Sequence, residues 1–398
     1  MARSPIAPAP ASAGDVLRLV LTGTADTRGD IGRLTGLSRT AVTARVSELL
    51  TRGLLVETTV GPSTGGRPPV RLSFNAAAGV VLAAAVGVTR TQFGVYDLAG
   101  DPLAEDSGPL DATRGPEAVF AWLLDRWRGL LAELGRTADD VRGVGLAVPA
   151  PVDVATGRTG TPPTFAGWDD VDLAAPFAAE FGVPVVVDND VNAMAVGEHW
   201  ARRAEGITDL LAVKVSAGIG AGVVAGGVLQ RGAIGAAGEL GHIRVENGGG
   251  VLCRCGNSDC LEAVAGGSAL VRRLADDGLP VSSVADLVSM VGDGNPRVVH
   301  TVRDAGRRLG EVLAAAVNIL NPAVVVLGGD LARAYEPLVA GVRETVYQRA
   351  AAYATRRLRI VPSVLDERAG LVGCTVLVLN RVLSASAVDA AVAARTPR

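Results

Sequence analysis

Lysine is almost missing from this sequence, and aromatic residues are few. Lys214 is the only lysine among 398 residues, which we attribute to the composition of the genome and not to function. Aromatic residues make up 4%. The net charge of −3 gives the chain as a whole no basic signature for nucleic acid. Glycine, proline or charge interrupts every apolar run before about 18 residues, a pattern that argues against a transmembrane helix. No apolar signal stretch opens the chain, so we expect a cytoplasmic protein.

Cysteine is scarce too, but its distribution is uneven. Three of the four cysteines, Cys253, Cys255 and Cys260, fall together with His242 within 19 positions. Thiolate and imidazole ligands at this density predict a structural, tetrahedral Zn²⁺ that orients its neighbours and activates no water. Two alternatives stay open. The thiols can be buried and free, or two of them can form a disulfide, although a ring between Cys253 and Cys255 would be very tight.

The segments around this cluster match a family signature. They read G-A-A-G-E-L-G-H and C-R-C-G-N-S-D-C-L-E, and they carry Glu239 and Glu262, which the cluster would hold near one point. These segments resemble the ROK family, named for repressors, open reading frames and kinases, with Asp259 where glycine is usual. The resemblance implies an α/β fold, an actin-like (ribonuclease H-like) domain of two lobes with a sugar site in its cleft. It also implies either sugar phosphorylation or sugar-responsive repression.

The N-terminal part has a local charge of the opposite sign. Residues 14–74 hold eight arginines and five acidic residues, a local net charge of +3. Ser38 is a good N-cap for a third short helix in which apolar residues recur with helical spacing, and two β-like runs follow around G-P-S-T-G-G-R-P-P. This pattern predicts an all-α/winged helix-turn-helix DNA-binding domain; the alternative is a three-helix module for protein interaction. The candidate DNA-contacting residues are Ser38, Arg39, Thr40, Thr43 and Ser47 on the helix and Arg67 in the wing.

A second polar group follows a buried strand. The run V-P-V-V-V-D-N-D predicts a strand that ends at Asp188, with Asn189 and Asp190 before a helix. Ligands of open α/β sheets collect at such strand ends, although a helix N-cap is an alternative use of these residues and both can hold. By resemblance, Asn189 would hold a sugar and Asp190 would be the base in a kinase. The candidate sugar-binding residues are Asn189, Asp190, Glu239, His242 and Glu262.

The nucleotide side of the site is altered. Ala85 stands where ATP-using members of the fold carry an aspartate that supports the metal-phosphate group. In the Gly-rich run from Lys214 to Val224, Ala217 replaces a threonine hydroxyl. We therefore expect no ATP cofactor and no kinase activity, while the sugar side is intact.

These patterns together predict a sugar-responsive transcriptional regulator of the repressor type. It would bind operator DNA as a homodimer or tetramer, contain structural Zn²⁺ and respond to a sugar or sugar derivative. Two alternatives are an active ATP-dependent sugar kinase with a DNA-binding appendage, and a regulator controlled by a protein partner instead of a sugar. The expected layout is a disordered tail (1–13), the winged domain (14–75), a first lobe (76–188 plus about 370–385), a second lobe with the zinc loop (189–369) and a flexible tail (386–398).

Overall fold

The computed structural model describes residues 11–59, 70–87, 90–110, 114–160 and 167–394. Arg67 and the turn of the predicted wing lie outside these residues. The helices are α1 (Ala13–Leu21), α2 (Arg28–Thr35), α3 (Arg39–Thr51), α4 (Pro116–Glu133), α5 (Ala175–Phe181), α6 (Asp190–Ala201), α7 (Leu261–Ala265), α8 (Gly267–Asp276), α9 (Val284–Gly292), α10 (Pro296–Leu320), α11 (Tyr335–Arg349), α12 (Ala352–Thr355), α13 (Ala369–Val382) and α14 (Ala385–Ala393). The strands are β1 (Leu55–Thr59), β2 (Val70–Phe74), β3 (Val80–Val86), β4 (Arg90–Asp97), β5 (Pro102–Pro109), β6 (Val141–Val148), β7 (Val152–Asp153), β8 (Arg158–Thr159), β9 (Val185–Asn189), β10 (Leu210–Val215), β11 (Ile219–Ala225), β12 (Val228–Gln230), β13 (Val324–Gly328) and β14 (Arg359–Pro362).

Three capped helices and a hairpin form the N-terminal domain. The side chains of Ser12, Thr27 and Ser38 each accept a hydrogen bond from a backbone N–H in the first turn of α1, α2 and α3, respectively, which satisfies a donor that the helix leaves unpaired. Gly36, with φ of +72°, ends α2 in the left-handed conformation and sets the turn into α3. Strands β1 and β2 pair antiparallel after α3. The predicted three helices followed by a hairpin are therefore confirmed.

The two predicted tails are wrong where the structure describes them. Ala13 is buried and begins α1, and residues 385–393 form α14 instead of a flexible segment. Val388 of α14 lies in the core of the N-terminal domain, where it is 3% exposed. The Asp389 carboxylate accepts a hydrogen bond from the backbone N–H of Gly14 at 2.9 Å, and a Cβ on Gly14 would lie 2.3 Å from the backbone oxygen of Ala385. The physical reason is that this helix completes a core made by residues at the other end of the chain.

Two five-stranded sheets of the same topology form the two lobes. The first has the order β5-β4-β3-β6-β9 and the second the order β12-β11-β10-β13-β14. In each sheet the first three strands form an antiparallel meander, and two further strands add in parallel. The apolar strand residues of each sheet pack with helices into separate cores. This architecture confirms the expected two-lobed α/β fold with an N-terminal helical domain.

A pair of helices, α6 and α13, lies between the two sheets. Helix α13 packs on β3, β6 and β9, whereas α6 packs on β10 and β11. The two helices approach so closely that a Cβ on Gly197 would lie 2.1 Å from the backbone oxygen of Ala369, and a Cβ on Gly373 1.8 Å from that of Ala193. The lobes are therefore joined through a tight helix contact that only glycine permits.

Within the described part of the chain, no single helix is long and apolar enough to cross a bilayer. The segments Asp366–Val382 and Ala385–Ala393 pass that test only as a pair, and they are bent by 51° at the break between them.

Candidate functional site

The predicted metal ligands come together. One donor atom from each of His242, Cys253, Cys255 and Cys260 lies within 4.8 Å of all the others. Cys255 Sγ is 3.6 Å from Cys260 Sγ, and Cys253 Sγ is 3.5 Å from His242 Nδ1. The edge of a tetrahedron around metal–sulfur bonds of about 2.3 Å is about 3.8 Å, so these spacings fit four ligands around one ion. The four residues fit a metal such as zinc.

The state of the thiols argues against a disulfide, and because Cys255 is exposed the three cysteines are not simply a set of buried thiols. All four cysteines are free, and no disulfide links them. A hydrogen bond from the backbone N–H of Asn257 lowers the pKa of Cys255 to about 7, whereas burial raises the pKa of Cys260 to about 12. A metal would thus displace protons from the cluster as it binds. Cys374 lies apart from the cluster and donates to the backbone oxygen of Ala84, and burial raises its pKa strongly.

Asp259 stands where the family has glycine, and the structure shows how the loop accommodates it. Its φ is +61°, a left-handed conformation that glycine adopts freely and aspartate tolerates better than most residues. The buried carboxylate accepts hydrogen bonds from the backbone N–H groups of Gly250 and Val251 at 2.7 and 3.0 Å. Asp259 therefore keeps the backbone geometry and adds contacts that fix the loop before Cys253.

Asp188 and Asn189 end β9 at the cleft. The Asp188 carboxylate is buried, pairs with Arg231 at 2.8 Å and accepts a hydrogen bond from the Asn192 amide, also at 2.8 Å. Asn189 Oδ1 caps α6 by accepting from the backbone N–H of Val191 at 2.9 Å, and its Nδ2 donates to the backbone oxygen of Ala150 at 3.0 Å. The N-cap use of Asn189 is thus present, and its contact with a sugar remains a prediction.

Asp190 opens α6 and is paired with the single lysine of the chain. Lys214 Nζ on β10 donates to Asp190 Oδ2 at 2.6 Å. Burial by itself would lower the pKa of Lys214, but Asp190 outweighs it, so the pKa is raised. The sequence reasoning missed this residue and also Arg231. The available signal was a solitary lysine in a buried strand, where an unpaired ammonium would be costly.

Glu239, His242 and Glu262 lie on the metal side of the same cleft. His242 turns Nδ1 towards Cys253 and Nε2 towards Glu239, whose Oε2 is 3.7 Å away. Burial raises the pKa of the Glu239 carboxyl; Glu262 and Asp190 act in the same direction and His242 opposes them. The charges of three predicted sugar-binding residues, Asp190, Glu239 and Glu262, therefore influence one another.

Glu262 is held by the backbone and by the metal loop. Its Oε2 accepts a hydrogen bond from the backbone N–H of Ile219 at 3.0 Å, and its Oε1 accepts from Arg254 at 3.1 Å. A Cβ on Gly218 would lie 2.3 Å from Oε2, so glycine lets the Gly-rich turn close over this carboxylate. The Glu262 side chain therefore contacts both the Gly-rich turn and the metal loop.

Ala85 and Ala217, the two residues from which we predict loss of a nucleotide site, carry no polar side-chain group. Ala85 is part of β3, and Ala217 is exposed at the Gly-rich turn. The neighbouring Ser216 Oγ accepts a hydrogen bond from the backbone N–H of Asp330 at 2.9 Å. Neither alanine can offer a nucleotide the carboxylate or hydroxyl that phosphate and Mg²⁺ sites use.

The predicted DNA-contacting residues lie on one exposed face of α3. Ser38, Arg39, Thr40, Thr43 and Ser47 are all exposed, while Val42, Val46 and Leu49 face the core. Five other arginines of this domain form ion pairs with acidic residues. Among the described residues 11–59 and 70–74, Arg39 has no such pair, so its charge is available to a partner.

Comparisons with known proteins agree with this architecture. The model of the ROK family matches residues 81–381. A putative xylose repressor of Caldicellulosiruptor sp. (strain Rt8B.4) is 30% identical over 93% of this chain and 95% of its own length. A glucokinase of Thermotoga maritima is 31% identical, but it covers 60% of this chain and 80% of its own length. The crystal structure of a ROK family transcriptional regulator, a homologue of the Escherichia coli MLC protein, has a TM-score of 0.81 at 25% identity and covers 96% of this chain and 98% of its own.

Proposed function

This chain belongs to the ROK family, and on that premise we propose that it is a transcriptional regulator that binds operator DNA and responds to a sugar. The extent of the similarity carries the proposal. The xylose repressor matches 93% of the chain, which must include most of the N-terminal domain, whereas the glucokinase covers 60%. Repression is the mode of action that such relatives favour.

DNA recognition falls to α3. Its exposed polar face carries short hydroxyl side chains and the unpaired Arg39, the residue types that contact base edges and phosphates in the major groove. We infer a symmetric dimer or tetramer that presents two such helices to half-sites about one helical turn apart. Arg67 would add a contact from the wing.

The effector site would be the cleft between the lobes. Asn189, Asp190, Glu239, His242 and Glu262 would bind the hydroxyl groups of a sugar. Zn²⁺ is the metal we assign to the cluster, because three thiolates and one imidazole form its usual closed set. When bound, it would supply folding energy to the loop. His242 would then hold the cluster through Nδ1 and face Glu239 through Nε2, so one ring would connect metal and sugar.

A continuous set of contacts leads from this cleft to the DNA-binding domain. Asp190 begins α6, and Glu198, two turns further along, is fully buried. Glu198 Oε1 accepts from Ser363 Oγ at 2.5 Å and from the backbone N–H of Leu365 at 3.1 Å, in the segment that leads into α13. Helix α13 continues into α14, whose Val388 lies in the core of the N-terminal domain. Movement of α6 when a sugar binds would therefore reach α14 through packed elements.

Linkage gives the proposal a direct test. If a sugar changes operator affinity, operator DNA must change sugar affinity by the same factor. We would screen the zinc-loaded protein by thermal unfolding against hexoses, amino sugars, pentoses and their phosphates. A ligand at a hundred times its dissociation constant adds about 2.7 kcal/mol, which raises the midpoint measurably. Each sugar that raises it is then tested for its effect on operator binding at fixed salt. A panel that leaves both quantities unchanged would overturn sugar control in favour of a protein partner.

Loss of kinase activity is part of the proposal. Ala85 and Ala217 remove polar groups from the nucleotide side, and Lys214 already donates to Asp190, the residue that would accept a hydroxyl proton in a kinase. We expect no ADP release from ATP in the presence of any sugar that binds. Sugar-dependent ADP release that Asp190→Asn abolishes would show instead that the chain is an active kinase with a DNA-binding domain.

A further inference from the structure

Lys214 lies near the end of β10, next to Asp190 at the start of α6. It lies between the buried Val213 and Val215 of β10 and is level with Gly220 on β11 and Gly328 on β13, so no side chain flanks it in the sheet on either side. Its own side chain is 33% exposed, and that of Asp190 is 14% exposed. The ion pair is therefore mostly shielded from solvent, but the ammonium still reaches open space.

The hydrogen-bonding capacity of this pair is only partly used. An ammonium group has three donors, and one of them goes to Asp190 Oδ2 at 2.6 Å. Among the described residues, no acceptor takes the other two donors of Lys214, and no donor serves Asp190 Oδ1. The raised pKa of Lys214, which Asp190 causes against the effect of burial, keeps the ammonium charged at neutral pH. A free donor and a free acceptor thus stand side by side at the start of α6.

We propose that Lys214 is a further effector-binding residue that, together with Asp190, grips one hydroxyl group of a neutral sugar. The ammonium donates to the hydroxyl oxygen, and Asp190 Oδ1 accepts the hydrogen of the same hydroxyl group. A hydroxyl is both donor and acceptor, so one group satisfies both partners. This assignment rests on the proposed function, because it names the class of ligand for the same cleft.

The charge around Lys214 selects a neutral ligand over a phosphorylated one. Two of the nearby carboxylates, Asp188 and Glu262, each have an arginine partner, and Lys214 is matched by Asp190. Among the described residues, Glu239 has only His242 as an ion-pair partner. The Asp330 carboxylate also raises the pKa of Lys214. A phosphate group, which carries a charge of about −1.5 to −2 at pH 7, would enter a region with an excess of carboxylates. The residues that make up this charge balance are Asp188, Asp190, Glu239, Glu262 and Asp330 against Lys214, Arg231 and Arg254.

An alternative is that Lys214 has only a structural role, in which its ion pair with Asp190 holds β10 against α6. The two roles differ in how the loss of the lysine depends on the ligand. Loss of a purely structural lysine would weaken the binding of every ligand to the same extent. A contact with one hydroxyl group, in contrast, disappears when the sugar lacks that hydroxyl group. The test therefore combines a protein variant with deoxy sugars.

The experiment measures sugar affinity by isothermal titration with the zinc-loaded, full-length protein. The probes are D-xylose, D-glucose, N-acetylglucosamine and glucose 6-phosphate, followed by the monodeoxy analogues of the sugar that binds. Wild type should lose about tenfold to hundredfold in affinity for one analogue, the scale of a hydrogen bond to a charged group. Lys214→Met should bind the parent sugar and that analogue with nearly equal affinity, and Asp190→Asn should reduce the discrimination against the same analogue and against no other.

Each remaining outcome decides against part of the assignment. Arg359→Met serves as the matched control, because it removes a cation from an ion pair with Glu205 that involves none of the cleft residues and should leave every affinity unchanged. If Lys214→Met weakens the binding of all analogues by the same factor, the lysine has only a structural role and the assignment is overturned. Tighter binding of glucose 6-phosphate than of any neutral sugar overturns the ligand class. Failure of wild type to bind any probe overturns the proposed function itself, which the screen of operator binding would show separately.

Discussion

The proposed effector cleft and the proposed DNA-binding face of α3 are built in opposite ways. The cleft takes its polar residues from distant segments, and almost every one already has a partner: Asp188 with Arg231, and Glu262 with Arg254. The face of α3 takes all its residues from one helix and leaves them exposed. A small ligand needs groups that are fixed before it arrives, because it brings little binding energy to order them. DNA supplies many contacts of its own, so the surface that binds it can remain polar and exposed.

We expect the largest effect from loss of the metal cluster, because the cluster holds Glu239 and Glu262 together in the cleft. Cys260→Ser should lower the free energy of unfolding by roughly 4 kcal/mol and abolish sugar binding, since a buried ligand is lost. Urea unfolding with and without a chelator measures the effect. Cys374→Ala is the matched control: it is buried outside the cluster and should leave the response to chelator intact. Insensitivity of wild type to chelation would contradict a structural metal.

A second change weakens the connection between the two regions without changing the polar residues of either. Val388→Ala opens a cavity where α14 enters the N-terminal core and should cost roughly 2–3 kcal/mol in the stability of that domain. Sugar affinity should persist, while the effect of sugar on operator binding shrinks. Val364→Ala, at a residue that is 59% exposed, should change stability by less than about 0.5 kcal/mol. Undiminished coupling in Val388→Ala would argue that the signal bypasses α14.

A third change sharpens the contrast by acting on the cleft alone. Glu239→Gln removes a charge that lacks an arginine partner and should weaken sugar binding by about 2 kcal/mol, roughly thirtyfold. Operator affinity without sugar should stay the same, as measured by fluorescence anisotropy. If regulation in response to sugar is untouched, control by a protein partner becomes the better account.

The smallest expected effect concerns the helix face. Arg39→Ala should weaken operator binding by about 1.4 kcal/mol, or tenfold, and sugar affinity should not change. Arg33 is also exposed, but its ion pair with Asp30 already occupies its charge, so Arg33→Ala should weaken binding less. Equal losses of operator affinity in the two variants would mean that Arg39 on α3 makes no specific contact with DNA. Titrations at several salt concentrations show whether Arg39 contacts phosphate, because loss of such a contact in Arg39→Ala lowers the salt dependence of operator binding.

The sequence predicts well what depends on neighbouring residues. The metal cluster is visible because its four ligands lie within 19 positions, and the third helix of the N-terminal domain is visible because Ser38 caps it locally. The end of β9 at the cleft follows from a short apolar run before polar residues. In each case the physical cause acts over a few residues.

What depends on distant residues was not predictable in this way. The pairs Asp190–Lys214 and Asp188–Arg231 join positions that are 24 and 43 residues apart, and no local pattern specifies them. Helix α14 is short and rich in alanine, and its only fully buried apolar residue is Val388. Such a segment has no stability of its own and becomes a helix only because α1 receives it. Its partner lies more than 370 positions away, beyond the reach of any periodicity.

The position of α14 also bears on how this protein is made. Gly14 and Asp389 are separated by 375 residues, so a ribosome must complete both lobes before the N-terminal core can close. At about 5–20 residues per second, this delay is roughly 20–75 s. During that time the nascent chain carries the sequence of a DNA-binding domain without its full fold. The cell thereby obtains a reader of DNA only when the sensor that controls it has already been synthesised.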